Sequence, residues 1–241
     1  MLTDKDFQRY SRQIMLPEVG EHGQHKLMNA HVVIVGMGGL GCPVAQYLAA
    51  AGVGKLTLVD DDKVERSNLQ RQILYRPNHI GQFKAEVAAI QLNSQNPGIQ
   101  IFPVTVRLCT KNINTIIGDV DVILDCTDQR KTRYLLNQFA KNNRLPYIFG
   151  SALQSAGQVG WFDFGQHDSI CFEQLFPREY ESEISQNCET MGVFGPILGM
   201  IGSYQAQITL QMILGLLPKC AAFSSFESQT MQWKSLGFGE E

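Results

Sequence analysis

The chain lacks any excess of basic residues. Its 20 Lys and Arg stand against 23 Asp and Glu, giving a formal net charge of −3. That balance excludes the electrostatic footprint of a nucleic-acid binder. It also lacks an uninterrupted apolar run. The longest, Val193 to Ile201, is broken by Gly195, Pro196 and Gly199 and followed by Gln205, Gln207 and Gln211, which is too polar to span a bilayer. No apolar signal region opens the sequence, so the expectation is a cytoplasmic protein without membrane contact. Internal repeats and low-complexity segments are missing. The six cysteines (Cys42, Cys109, Cys126, Cys171, Cys188 and Cys220) follow no regular spacing, and several fall in strand-like or helix-like segments. They read as reduced thiols and not as a disulfide frame.

What is present is ample material for a core, with 44% hydrophobic residues. Residues 4–28 read as two short polar helices, with Asp4 as the expected N-cap of the first. Short runs rich in Val, Ile or Leu at 31–35, 55–59, 99–106, 121–125 and 146–149 read as strands, separated by helical stretches at 40–51, 84–93, 111–117 and 131–143. Such alternation implies βαβ units and a doubly wound, mostly parallel α/β sheet. From Gly157 to Phe164 the pattern alternates, which predicts an antiparallel continuation ending in a pair at Ala222–Phe226 and Gln229–Leu236. The polar stretch 172–187 predicts a mobile loop. Gly192, Gly195, Gly199 and Gly202 recur at spacings of three, four and three. Each interior glycine costs roughly 1 kcal/mol in a helix, so the stripe predicts close packing on the sheet or on a second subunit.

The most informative segment is His31–Gly41. A strand runs into Gly36, Gly38, Gly39 and Gly41, an Ala-rich helix follows, and Asp60 ends the next strand 24 residues after Gly36. Gly36 permits the tight turn, Gly38 lets backbone approach a phosphate, and Gly41 lets helix and strand pack closely. The helix N-terminus then offers unpaired N–H groups to an anion. The same motif without further support describes a plain glycine turn.

The fingerprint by itself points to NAD or FAD, but the residues after it favour another nucleotide. A dinucleotide needs few cations. A triphosphate carries about four negative charges and calls for Arg, Lys and a divalent metal to neutralise a pyrophosphate leaving group. Arg71, Lys84 and Asp128 meet that need; taken singly, each reads as solvated charge at a helix end.

Arg9–Ile14, the Gly36–Gly41 turn, Ser67–Gln72, Lys84 and Asp125–Asp128 occur in one order at one set of spacings. This set resembles the ThiF/MoeB/HesA family, relatives of ubiquitin-activating enzymes, over nearly the whole chain. Gln232–Leu236 is more similar to the ThiF branch. The resemblance implies one adenylating domain over 1–241, with nucleotide binding in about 30–150 and the carrier-binding, crossover-loop and C-terminal part in about 151–241. It implies ATP-dependent adenylation of the C-terminal glycine of a small ubiquitin-like sulfur carrier ending in Gly-Gly, in thiamine thiazole biosynthesis. By resemblance Asp60 takes the ribose, Asn68, Arg71 and Lys84 contact phosphates, and Asp128 holds Mg²⁺. Arg12 reaches the nucleotide of the other subunit of a homodimer. Cys188 joins the activated carrier during sulfur transfer, and a separate donor supplies the sulfur.

Two departures stand out. Gln129 replaces the family's Asn after Asp128, keeping the amide on a longer arm. The two Cys-x-x-Cys zinc pairs of many relatives are not here; Cys171 stands in what remains of the first, Cys220 is isolated, and no structural zinc is expected. Apolar packing around Phe172, Leu175 and Phe176 is the expected substitute. Alternative functions are the same chemistry on a molybdopterin-type carrier, ATP-dependent dehydration of a tRNA nucleoside, an NAD-dependent oxidoreductase, and a nucleotide-binding module without catalysis.

Overall fold

Buried hydrophobic runs fix the sheet. A computed structural model of the chain describes residues 2–165, 170–178, 192–217 and 221–238. Its elements run α1 (Asp4–Ile14), α2 (Gly20–Asn29), β1 (His31–Val35), α3 (Gly41–Ala51), β2 (Lys55–Val59), α4 (Lys84–Gln95), β3 (Gln100–Val104), α5 (Ile113–Ile117), β4 (Val122–Asp125) and α6 (Arg130–Asn143). Then follow β5 (Pro146–Leu153), β6 (Ala156–Asp163), α7 (Phe172–Leu175), α8 (Gly195–Leu214), β7 (Ala221–Glu227) and β8 (Gln232–Phe238).

The eight strands make one sheet in the order β3-β2-β1-β4-β5-β6-β7-β8. The first five are parallel and the rest antiparallel. Strand periodicity sends alternate side chains to opposite faces. Val32 and Ile34 join Leu56, Leu58 and Leu124 beneath α3, α4 and α8. Val33 and Val35 join Ile123, Tyr147 and Phe149 beneath α5, α6 and α7. The sheet is thus covered on both faces, the condition for strands that read as continuous hydrophobic runs. β3 is an edge strand, where Pro103 is tolerated.

The structure corrects several expectations. Thr3, not Asp4, caps α1: its hydroxyl accepts the Asp6 N–H while the Asp6 carboxylate accepts the Thr3 N–H. A Thr with an acid three residues on is a capping box, and it places Asp4 inside the first turn. β3 is shorter than 99–106, and β5 runs on to Leu153 because β6 pairs with it through to Ala156. Part of the expected mobile loop is helix α7, held by Phe172 against Phe149 and Phe176 at ring separations of 4.9 and 4.8 Å. Residues 179–187 lie outside the described residues.

The glycine stripe is not one packed face. Gly192 precedes α8, and Gly199 has no neighbour among the described residues where a side chain would be. Gly202 is the close approach: a Cβ there would stand 2.7 Å from the Leu40 carbonyl oxygen, so α8 crosses the start of α3 backbone to side chain. Gly195 similarly abuts the Gln70 carbonyl. α8 is therefore clamped onto the loops that follow β1 and β2.

Candidate functional site

The chain leaves β1 toward β2 on one side, and later reaches β4 on the other. At such a reversal the connecting segments diverge and leave a crevice beyond the C-terminal strand ends. A cleft of about 830 Å³ lies there, lined by Gly36, Gly38, Gly39, Asp60, Arg71, Lys84 and Asp128 among others.

Its floor is the glycine turn. Gly36 sits at φ +93°, and a Cβ there would stand 2.8 Å from the Cys126 carbonyl oxygen. A Cβ on Gly41 would stand 1.9 Å from the Gly36 carbonyl oxygen, so only glycine lets α3 begin this close to β1. Gly38 differs: among the described residues the Gln72 amide nitrogen, 3.6 Å from the Cβ position, is its only near neighbour, so its backbone faces the open cleft. Gly39 is covered by Leu198 of α8. The turn is pinned at Met37, whose N–H donates to Asp60 Oδ2 at 2.7 Å and whose carbonyl accepts the Tyr75 hydroxyl at 2.7 Å.

Asp60 accepts a second N–H, from Asp62 at 2.8 Å, through Oδ1. Burial raises its carboxyl above the usual range, opposed by the Lys84 charge and by these two N–H groups. Each oxygen keeps a further lone pair for a hydroxyl donor. Lys84 opens α4, is 6% exposed, and holds Asp62 Oδ2 at 2.8 Å. Arg71 is steadied by the Ser67 carbonyl at 2.9 Å. Asp128 is exposed at the mouth of the cleft, without a hydrogen-bond or ion-pair partner among the described residues. Gln129, not Asp128, occupies the N-cap of α6.

Two expected site residues are not gathered here. The Asn68 side chain accepts the Glu65 N–H at 3.1 Å and so braces the short 3-10 turn Arg66–Asn68. Arg12 is exposed on α1, which is tied by Gln13 to the Ala51 carbonyl and by Arg9 to the Gln95 carbonyl. Those are the far ends of α3 and α4, about 16 Å from their cleft ends at 1.5 Å per residue. Cys188 lies outside the described residues.

Sequence reading missed the support beneath the cleft. Asp125 is fully buried; Oδ1 accepts the Thr127 N–H and hydroxyl, and Oδ2 accepts Arg133 and the Tyr147 hydroxyl. Arg133 also donates to the Thr127 and Gly150 carbonyls and lies over the Phe149 and Phe172 rings. Gln205 of α8 donates to the Asp125 carbonyl at 3.0 Å. Arg107 and Arg130 add cationic side chains to the lining. Cys42 and Cys126 are unsuited to nucleophilic work, since burial pushes Cys42 up to about 12 and raises Cys126 strongly. No three His, Cys, Asp or Glu side chains converge on a metal position among the described residues. An exposed carboxylate at the cleft mouth, such as Asp128, suits Mg²⁺, which keeps waters and substrate phosphates as its other ligands.

The cleft therefore presents a glycine turn open at Gly38, a buried carboxylate and several cations, an arrangement that suits a nucleotide with several phosphates. Comparison with known proteins agrees in part. The chain is 47% identical over 215 residues to the Drosophila sechellia protein named adenylyltransferase and sulfurtransferase MOCS3, covering 89% of this chain and 47% of that protein. It is 39% identical over 240 residues to the Escherichia coli K12 sulfur carrier protein ThiS adenylyltransferase, covering 98% of this chain and 92% of that one. The chain thus spans about half the length of the insect relatives it matches. Among solved structures, E. coli MccB with ATP superposes with a TM-score of 0.82 at 22% identity, covering 100% of this chain and 80% of that one. PaaA superposes with a TM-score of 0.85 at 21% identity, covering 98% and 84%. At these identities the superpositions speak for the fold. The ThiF family profile matches residues 10–240, and the chain belongs to the ThiF family.

Proposed function

We propose that the chain is an adenylyltransferase that activates a small ubiquitin-like sulfur carrier. A carboxylate oxygen of the carrier's terminal glycine attacks the α-phosphorus of ATP, the bond to the β-phosphate breaks, and acyl-adenylate and pyrophosphate result. No general base is needed, because the carboxylate is already ionised at neutral pH. The task is to hold two anions together and to stabilise charge on the leaving group. The observation that carries this reading is the convergence of Arg71, Lys84 and Asp128 on a glycine turn whose Gly38 faces open space. Asp60 takes the ribose, Arg71 and Lys84 the phosphates, and Asp128 would hold Mg²⁺, which would supply positive charge to the leaving group. Asn68 supports the Arg71 segment.

In finer detail, the carrier is of the ThiS type and belongs to thiazole synthesis; the E. coli relative's name and near-complete overlap support this. A second reading keeps the same chemistry on a molybdopterin-type carrier. The insect relatives' name joins adenylyltransferase to sulfurtransferase without naming ThiS, which favours keeping both. Cys188 receives the activated carrier, with sulfur from a separate donor. The enzyme works as a homodimer in the cytoplasm, with Arg12 completing the partner's site. Mixing inactive Arg12→Ala and Lys84→Ala chains should then restore about a quarter of the wild-type activity, because random pairing makes half the dimers mixed and each mixed dimer has one intact site. No restoration would rule out sharing.

The function itself is tested by ATP–pyrophosphate exchange with purified carriers of both types. Exchange is expected only with a Gly-Gly carrier present, and faster with the ThiS type. A preference for the molybdopterin-type carrier would reassign the pathway, and no exchange with either would refute the proposal.

A further inference from the structure

One contact in the cleft has no part in that reaction. Arg107 follows β3 and Gln129 follows β4, and β2 and β1 lie between those strands. Three inter-strand steps separate them, roughly 14 Å at ordinary sheet spacing. Yet Arg107 Nη2 donates to Gln129 Oε1 at 2.6 Å. The bond therefore joins the loops on either side of the β2 and β1 ends, where Asp60 and Gly36 stand, and both of its residues line the cleft.

Neither side is a loose surface contact. Beside Arg107, Leu108 is buried in the cluster that holds Val35 and Val59. Asn112 accepts the Cys109 N–H at 2.7 Å and donates to the Arg107 carbonyl at 2.9 Å, so the loop that presents Arg107 is braced. Gln129 stands at the N-cap of α6 and makes no capping bond there; its amide reaches across the cleft instead. Thr127 is tied to Asp125 and Arg133. Asp128 is thus flanked by two fastened neighbours. The glutamine arm is essential to the span: an asparagine would fall short by one methylene, about 1.5 Å.

We propose that Arg107 and Gln129 form a latch across the nucleotide cleft, closed over the ribose side of a bound nucleotide and holding the Asp128 segment from its second side. Both side chains are exposed, so opening for exchange with solvent costs little. The latch sets how long the nucleotide stays. This inference rests on the cleft taking a nucleotide, as proposed above.

Surface plasmon resonance on the immobilised full chain tests it, with MgATP as analyte and no carrier, so that no turnover intervenes. Arg107→Ala, Gln129→Ala and Gln129→Asn should each raise the dissociation rate about fivefold, the scale of one side-chain hydrogen bond. The Arg107→Ala/Gln129→Ala double variant should be no faster than either single, since both remove the same bond. Unchanged rates, effects that multiply in the double variant, or an effect confined to the Arg107 variants would overturn the latch. Failure of the wild-type chain to bind MgATP would instead overturn the nucleotide reading of the cleft.

Discussion

Lys84→Ala and Arg71→Ala should each lower carrier-dependent pyrophosphate exchange by about 10²–10³-fold, the usual consequence of removing one preorganised charge from a transition state. In the proposed reaction a carboxylate approaches a polyphosphate, and the cleft's cations would oppose the repulsion as negative charge moves to the leaving group. Lys84 is placed for this by its backbone as well as its side chain: its N–H donates to the Asp62 carbonyl at 2.9 Å and its ammonium to the Asp62 carboxylate. The fold should survive the change. Alanine suits the first turn of α4, and the Asp62 carboxylate left behind is 68% exposed and stays solvated. Melting temperatures within a few degrees of wild type, with exchange lost, are the expected pair of results. Exchange above a tenth of wild type in a folded Lys84→Ala chain would remove Lys84 from the chemistry.

Arg133→Met should have the largest effect on stability. It leaves the Asp125 carboxylate fully buried with its cation gone and strips two carbonyls, of Thr127 and Gly150, of their donor. Breaking a buried ion pair from one side costs about 3–5 kcal/mol. In a chain of this size that lowers the melting temperature by about 10 °C. Burial raises the Tyr147 hydroxyl well above its ordinary value, so it remains protonated and goes on donating to Asp125. It cannot replace the lost charge. Pairing Arg133→Met with Asp125→Asn should recover part of the loss, because the unpaired charge is then gone too. Thermal denaturation reads both; a single variant that melts with the wild type would show that the pair contributes little.

Much of this architecture is legible in the chain. β1 and β2 fall at 31–35 and 55–59 because Val32–Val35 runs hydrophobic up to Gly36 and Leu56–Val59, broken only by Thr57, runs up to Asp60. The turn glycines and the charged residues of the cleft are legible because each sits at a fixed offset from a strand end. β5 beyond Phe149 is not: Gly150, Ser151 and Ala152 carry no strand signal, and pairing with β6 alone extends them. α7 is hidden for a similar reason, being four residues held by aromatic neighbours drawn from β5 and α6. Arg133 looks like one more surface charge on a polar helix until Asp125, eight residues earlier, is seen buried beside it. Arg107 and Gln205 act on residues 22 and 80 positions away, across strands whose order no local pattern states. Those three residues define the support of the site and only the assembled sheet reveals them.

Isothermal titration calorimetry on the purified chain compares MgATP directly with NAD and with flavin dinucleotide. Saturable MgATP binding that Lys84→Ala weakens at least tenfold, with no heat from either dinucleotide, is the predicted result. Tight dinucleotide binding with no response to MgATP would contradict the central claim that this cleft was built to gather cations around a triphosphate.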